Sequence, residues 1–246
     1  MTLDTAHLVF LLAGITLVAF LYSSVGHAGA SGYIAVMTLC GLSATFIRPT
    51  ALVLNILVAA IGSFQFWRAG YFSWRLFWPF ALLSIPAAYF GGYLPVPAAI
   101  LKIVIGVVLL FSAARLFFRH GDPPDVTPPA APPAIAVGTG IGFLSGLTGT
   151  GGGIFLTPLL LFCHWATIRG AAAVSALFIL VNSIAGLAGF ISSGRPIPNF
   201  AWILALAAVM AGTLGSYLGS RRFPVRTISI ILATVLVLAG CKLIFW

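Results

Sequence analysis

The sequence predicts an all-α polytopic membrane protein built from two inverted repeats of about five segments each. Three observations support this fold class. Of the 246 residues, 61% are hydrophobic and only 6% are charged, whereas a soluble domain carries about 25% charged residues because its surface faces water. Long apolar stretches follow one another along the whole chain, and their order in the first half recurs in the second.

A Pro-rich linker over residues 121–133 separates an N-terminal repeat, 1–120, from a C-terminal repeat, 134–246. The apolar stretches cover approximately 6–25, 32–42, 47–67, 74–94 and 98–118 in the first repeat, and 134–148, 153–164, 168–191, 199–219 and 225–246 in the second. A helix needs about 20 apolar residues to span a bilayer. The second stretch of each repeat is too short for this, so we expect it to form a broken or re-entrant helix pair with the stretch before it.

The basic residues predict the topology. If each repeat has five crossings, eight basic residues fall on the linker side, namely Arg68, Arg75, Arg115, Arg119, Arg169, Arg221, Arg222 and Arg226, and four on the other, namely Arg48, Lys102, Arg195 and Lys242. With four crossings per repeat, the basic residues would divide nearly evenly between the two sides of the membrane. Since cytoplasmic loops carry an excess of Lys and Arg, we expect inverted repeats in the inner (plasma) membrane, with the linker in the cytoplasm and both termini outside.

Each short stretch follows a glycine-rich break, Gly26–Gly32 in the first repeat and Thr148–Gly153 in the second. Non-helical backbone at membrane depth is tolerated only where it is buried in protein or lines an aqueous cavity. The helix N-termini near Gly32 and Gly153 would direct free N–H groups and a positive partial charge at a small anion. Alternatively, these glycines only allow close helix packing.

The candidate substrate-binding residues are polar or glycine residues in the breaks and in the long helices that follow: His27, Gly29, Ser31, Gly32, Arg48, Asn55, Thr148, Thr150, Gly151, Gly152, Gly153, Arg169 and Asn182. His27 could donate to a substrate or carry a proton, or simply satisfy a backbone carbonyl. Arg48 and Arg169 align under a shift of 121 residues and could bind an oxyanion through paired donors, or anchor the topology at the membrane surface. The two asparagines could line a pathway or join helices by hydrogen bonds.

Several other classes of function are disfavoured. The three acidic residues, Asp4, Asp122 and Asp125, lie in terminal or linker positions, which argues against a carboxylate proton relay, a sodium site and two-carboxylate enzymology. The three cysteines form no C-x-x-C motif, so we expect no metal site and no cofactor. Basic residues are scattered rather than clustered on a face, which argues against nucleic acid as a partner.

Two motifs carry a resemblance that extends over nearly the whole chain. The segments Val25-Gly-His-Ala-Gly-Ala-Ser-Gly-Tyr-Ile-Ala-Val-Met37 and Gly149-Thr-Gly-Gly-Gly-Ile-Phe-Leu-Thr-Pro158 resemble those of the TauE/SafE sulfite-exporter family, also called the toluene-sulfonate uptake permeases. The second motif fits the family pattern G-x-G-G-G-x-x-x-x-P. The first departs from it at Ala28, Ala30, Ser31 and Met37. The resemblance implies a secondary transporter of sulfite, sulfoacetate or related sulfonates, most often an exporter.

Three functions remain open from the sequence. The first is a secondary transporter with one anion site between the two breaks and alternating access of the two repeats. The second is a passive anion channel that uses the same motifs. The third is a membrane thiol relay through Cys40 and Cys163, which follow Gly32 and Gly153 by 8 and 10 residues. The expected partners are a small anionic substrate and the lipid bilayer. The sequence leaves open the identity of the anion, the coupling ion and the oligomeric state, a homo-oligomer included.

Overall fold

The computed structural model describes residues 5–94, 110 and 125–245. Within these residues the chain forms nine helices and no β-strand. They are α1 (Thr5–Ser24), α2 (Ala30–Leu39), α3 (Ala44–Arg68), α4 (Trp74–Tyr93), α5 (Ala131–Thr148), α6 (Gly153–Phe162), α7 (Ile168–Ser192), α8 (Ala201–Arg221) and α9 (Val225–Phe245). The predicted all-α class is therefore confirmed.

Each of these helices begins and ends within three residues of a predicted apolar stretch. The predicted stretch 98–118 lies outside the described residues, except for Leu110. Within the described part, α3, α5, α7 and α8 are long and apolar enough to cross a membrane. The helices α2 and α6 have 10 residues each, which corresponds to about 15 Å at 1.5 Å per residue. They are too short to cross a bilayer of about 30 Å.

Glycines bring α4 and α5 into very close contact. Gly138, Gly142 and Gly146 face α4 at successive turns of α5, and a Cβ atom on Gly142 would lie 2.5 Å from Ser84 Cα. A Cβ on Gly146 would lie 2.8 Å from the carbonyl carbon of Ala88. Small residues at four-residue spacing allow such backbone approach in membrane helices. The same kind of contact joins α8 to α1, where Gly215 and Gly219 pack on Phe20 and Ser24. Each of these two tightly packed pairs contains one helix from each half.

The helices α3 and α7 cross at the centre of the molecule and run antiparallel to each other. Three contacts fix this register: Asn55 Nδ2 lies 3.4 Å from Ser183 Oγ, a Cβ on Gly62 would lie 4.0 Å from Ala176 Cβ, and Phe66 packs with Ala172 and Ala173. Residue numbers rise along α3 as they fall along α7. Since the two helices occupy corresponding places in the two halves, this register supports inverted repeats. Inversion of the complete halves stays a prediction.

The molecule has an apolar interior and an apolar exterior. The largest fully buried side chains include Tyr33, Phe66, Phe80 and Phe178. Large apolar side chains are also more than half exposed along the outer faces of several helices: Val9, Phe10, Leu17, Phe64, Trp67, Leu82, Phe90, Trp202, Leu206, Met210 and Leu214. Soluble monomers rarely expose contiguous apolar surface on this scale. The exterior therefore suits hydrocarbon rather than water.

Candidate functional site

The first break is a reversal of direction between α1 and α2. Gly26 and Gly29 adopt φ values of 77° and 106°, which side chains other than glycine rarely tolerate. Gly26 also packs on the backbone of α7, because a Cβ there would lie 2.5 Å from Ala172 Cα. Since Gly29 ends the reversal, α2 begins at Ala30, two residues before the predicted start at Gly32.

Gly32 itself lies inside α2 and packs against α1. A Cβ on Gly32 would lie 2.9 Å from Val18 Cγ2, and one on Gly14 of α1 would lie 2.7 Å from Val36 Cγ1. Residue numbers therefore rise along α1 as they fall along α2, and the two helices form a hairpin. At Gly32 the observed contact is the close helix packing that the sequence left as an alternative.

The second break contains three glycines in the left-handed region. Gly149, Gly151 and Gly152 have φ values of 77°, 76° and 82°, and α6 begins at Gly153. Gly151 faces two polar side chains, since a Cβ there would lie 2.9 Å from both Asn55 Nδ2 and Ser183 Oγ. The backbone of this break thus lies directly between α3 and α7, where the two halves meet.

The two breaks meet at His27 and Gly153. A Cβ on Gly153 would lie 3.4 Å from Cδ2 of the His27 ring. His27 is 2% exposed, and its Nδ1 lies 3.3 Å from the Val25 carbonyl oxygen. Its Nε2 has no hydrogen-bond partner among the described residues. Neither α2 nor α6 is capped by a side chain at its N-terminus. The N-terminus of α6 therefore lies against a buried imidazole that precedes the start of α2 by three residues.

Further buried polar atoms around the breaks also lack a hydrogen-bond partner in the part of the chain that the structure describes. They are Tyr33 Oη, Asn55 Oδ1, Ser145 Oγ and Asn182 Oδ1. Tyr33 Oη would lie 3.0 Å from a Cβ on Gly29, and Ser145 Cβ would lie 3.3 Å from one on Gly152. An unsatisfied buried polar group costs about 1–3 kcal/mol, and such groups are commonly paired with water or a ligand. These atoms make the surroundings of the breaks polar although they are buried.

Other hydroxyl groups near the breaks are already paired within the protein. Ser31 Oγ donates to Tyr22 Oη at 2.9 Å, and the hydroxyls of Thr148 and Thr150 lie 2.9 Å apart. Thr148 additionally donates to the carbonyl of Leu144, one turn earlier in α5. These hydroxyls hold the break residues in place, and each keeps acceptor capacity because a hydroxyl oxygen has two lone pairs.

The sequence reasoning missed several residues of this region, most clearly Ser183, Ser145 and Tyr33. Ser183 contacts both Asn55 and Gly151, yet a single serine in an apolar helix is an ordinary residue. Its position next to Asn182, on the face of α7 that turns toward α3, is the signal that could have indicated it. The environments of Ser145 and Tyr33 depend on the fold of the breaks, which apolar periodicity does not report.

Arg48 is bound by the backbone at the ends of α4 and α5. Its Nη2 donates to the carbonyls of Gly91 at 2.8 Å, Gly92 at 3.1 Å and Gly146. Its Cγ packs on the second break, 3.0 Å from the position of a Cβ on Gly149. The C-terminal end of a helix carries a negative partial charge, so a guanidinium group is well placed there. Its Nε is buried and has no hydrogen-bond partner within residues 5–94 and 125–245.

Arg169 occupies the corresponding place beside the first break. It lies three residues before Ala172, on which Gly26 packs. Its Nη1 donates to Tyr71 Oη at 2.7 Å, and its Nη2 donates to the Phe223 carbonyl at 2.8 Å. The two predicted arginines therefore lie at opposite ends of the α3–α7 crossing, each next to one break, and each donates to groups of the protein. Neither guanidinium group contacts the meeting point of the breaks.

The described residues contain no group of three His, Cys, Asp or Glu side chains that could hold a metal ion. The cysteines are unpaired thiols. Cys40 and Cys163 follow the last residues of α2 and α6 as their C-caps. Each thiol therefore lies about 15 Å along a helix axis from the break at which that helix begins.

The family model for the sulfite exporter TauE/SafE matches residues 11–243, which is nearly the entire chain. The protein belongs to the sulfite exporter TauE/SafE family. It is 43% identical over 236 residues to the "Probable membrane transporter protein y4hK" of Sinorhizobium fredii, covering 93% of this chain and 94% of that protein. It is 27% identical over 209 residues to the "Probable membrane transporter protein MJ0441" of Methanocaldococcus jannaschii, covering 79% and 77%. No solved structure matches the chain.

The family assignment and the apolar exterior lead to the same class of protein. The TauE/SafE family member described here is a membrane transporter with apolar helices suited to the bilayer. The resemblance identified from the two glycine motifs is therefore confirmed at the level of the family.

Proposed function

We propose that this protein is a secondary transporter that moves small sulfur-containing or organic anions, such as sulfite, sulfoacetate or related sulfonates. The substrate site lies between the two glycine-rich breaks. The contact between His27 and Gly153 carries this proposal, because it places the uncapped N-terminus of α6 against a buried residue of the first break, which leads into the uncapped N-terminus of α2. Helix N-termini favour anions through free N–H groups and a positive partial charge.

The charge balance of the interior supports an anion over a cation. No Asp or Glu occurs in any of the described helices. Asn55 and Ser183 add neutral hydrogen-bonding groups beside Gly151. Asn55 Nδ2 and Ser183 Oγ each lie 2.9 Å from the position of a Cβ on Gly151, and both atoms carry hydrogens that can be donated beside this break. An anion would then receive donors from backbone and side chain alike.

The predicted arginines take a supporting role in this proposal. Arg48 and Arg169 each pack beside one break and place a positive charge within the first turns of α3 and α7. Their charges raise the local concentration of anions at the two entrances to the site. The further candidates Gly29, Ser31, Thr148, Thr150, Gly152 and Asn182 shape the site or donate to the substrate.

Alternating access follows from the architecture proposed for the two halves. The first break joins the α1–α2 hairpin and the second break joins α5 to α6, and both breaks lie beside the antiparallel crossing of α3 and α7. Rocking of one half against the other would open the site to each side in turn. The family name describes export, and we propose export for this chain. The positive-inside rule supports a cytoplasmic linker in the inner membrane.

A counterflow assay in proteoliposomes tests this function. Vesicles loaded with unlabelled sulfite or sulfoacetate should accumulate external ³⁵S-labelled substrate transiently above equilibrium, because a carrier exchanges one molecule for another. Acetate and sulfate serve as competing anions. A passive channel would equilibrate the label without this overshoot, so flux without overshoot would contradict the transporter mechanism.

A cysteine-free variant separates transport from a thiol relay. Cys40, Cys163 and Cys241 are replaced by serine together, and the same overshoot is measured. We expect transport to persist, since small buried thiols commonly act as apolar side chains and the first two lie about 15 Å along their helices from the breaks. Abolished flux in a folded protein would favour the relay.

A further inference from the structure

An open cavity of about 670 Å³ lies between α3 and α8, away from the breaks. One side of the cavity is apolar and is lined by Ala60, Ile61 and Phe64. Its end is lined by two arginines, Arg68 and Arg221. The cavity is therefore amphipathic along its length, with an apolar wall leading to a strongly cationic mouth.

The two arginines mark the level of the membrane surface. Arg68 is the last residue of α3 and Arg221 is the last residue of α8. Both helices are long and apolar enough to cross the membrane, so their ends lie near the interface. From Arg68 to Ala60 is eight residues, or about 12 Å along the helix. The cavity thus extends from the interface well into the hydrocarbon.

Contacts around the cavity hold its shape. Gln65 Nε2 donates to the Thr213 carbonyl at 3.1 Å, which joins α3 to α8 beneath the mouth. The guanidinium carbon of Arg221 lies 5.5 Å from the centre of the Tyr217 ring, a cation–π distance that positions the charge at the opening. No carboxylate occurs in either helix, so the two positive charges have no acidic partner on the elements that form the cavity.

We propose that this cavity binds an anionic phospholipid, with its phosphate between Arg68 and Arg221 and one acyl chain along Ile61 and Phe64. Charge complementarity selects a headgroup with net negative charge, since basic pockets between membrane helices suit such headgroups. The apolar wall selects a lipid over a soluble phosphate. Phe64 is 55% exposed, and an acyl chain would cover this surface. This site is separate from the proposed substrate site and does not depend on it.

Lipid binding to the purified protein in detergent tests the proposal, with native mass spectrometry as the readout. Phosphatidylglycerol and phosphatidylcholine are titrated separately into the wild type and into the double variant Arg68→Gln/Arg221→Gln. The matched control is Arg222→Gln/Arg226→Gln, because both residues are exposed at the same end and do not line the cavity. We expect at least a tenfold weaker apparent affinity for phosphatidylglycerol in the cavity variant and less than a twofold change in the control.

A third variant, Ile61→Trp, fills the apolar wall without changing charge and should also weaken phosphatidylglycerol binding. Equal losses in the cavity and control variants would mean diffuse surface attraction and would overturn the proposal. Displacement of the lipid by millimolar glycerol 3-phosphate would mean a site for a soluble anion. A dimer without bound phosphatidylglycerol would mean that a second copy of the chain covers the cavity. Each of these results, and absence of bound phosphatidylglycerol from a monomeric wild type, would also overturn the proposal.

Discussion

Adding one methyl group at Gly153 perturbs the meeting point of the two breaks with little change to the backbone. Gly153 is the first residue of α6 and has no positive φ, so alanine fits its conformation. The new Cβ would lie 2.6 Å from Ile179 Cγ1, overlap Ile179 Cδ1, and lie 3.4 Å from His27 Cδ2. Ile179 is 2% exposed and has little room to move away.

Relief of this overlap must shift Ile179 or move the N-terminus of α6 relative to His27. Overpacking in a well-packed interior costs about 1–3 kcal/mol, which corresponds to a factor of about 5–150 in an equilibrium. We therefore expect Gly153→Ala to lower the initial rate of labelled substrate uptake, below saturation, by at least about fivefold. Uptake is measured in proteoliposomes with equal amounts of folded protein.

Two companion variants sharpen this prediction. Gly140→Ala in α5 is the matched control, because nothing lies within 4 Å of the added Cβ, and its uptake should equal that of the wild type. Ile179→Val removes Cδ1, so Gly153→Ala/Ile179→Val should recover part of the lost rate. Unchanged uptake in Gly153→Ala would refute the reasoning, and so would an equal loss in Gly140→Ala.

Variants at three further positions test the packing and hydrogen bonds that support the site. Gly142→Ala should lower the melting temperature relative to Gly140→Ala, because its Cβ would meet the rigid backbone of α4; equal melting temperatures would contradict this contact. Arg48→Gln should lower the free energy of unfolding, measured with denaturant, by about 1.5–3 kcal/mol, as expected for the loss of a hydrogen-bonded charged group. Arg48→Lys should recover only part of this free energy, because an ammonium group lacks the guanidinium geometry. Thr157→Val should lower the free energy of unfolding by about 1–3 kcal/mol, because it removes the 2.7 Å hydrogen bond to the buried Ser175 hydroxyl. An unchanged free energy of unfolding would show that this hydrogen bond contributes little.

The helices were predictable because the bilayer imposes strong constraints on sequence. Apolar stretches of fixed length and a linker rich in proline were sufficient to locate all described helices within three residues. The positions of the breaks were predictable as well, since only glycine readily adopts the conformations of Gly26 and Gly151. These signals are local in sequence, so a single chain reveals them.

The contacts of the site were not predictable in the same way. The proximity of Asn55 to Ser183, 128 residues apart, depends on how α3 crosses α7. Arg48 was predicted to bind an anion or to anchor the topology, and its three backbone partners on α4 and α5 depend on helix packing. Apolar helices pack in many ways with similar burial, so sequence periodicity does not select one of these arrangements.

Binding of a small anion to the purified protein tests the central claim most directly. Thermal unfolding is followed with sulfite, sulfoacetate, sulfate or acetate, since a ligand that binds only the folded state raises its stability with occupancy. We predict stabilisation by a sulfur-containing anion in the wild type and in Gly140→Ala, and its loss in His27→Gln and Asn55→Ala. No stabilisation by any of these anions at millimolar concentration, or equal stabilisation in all four proteins, would contradict a substrate site between the two breaks.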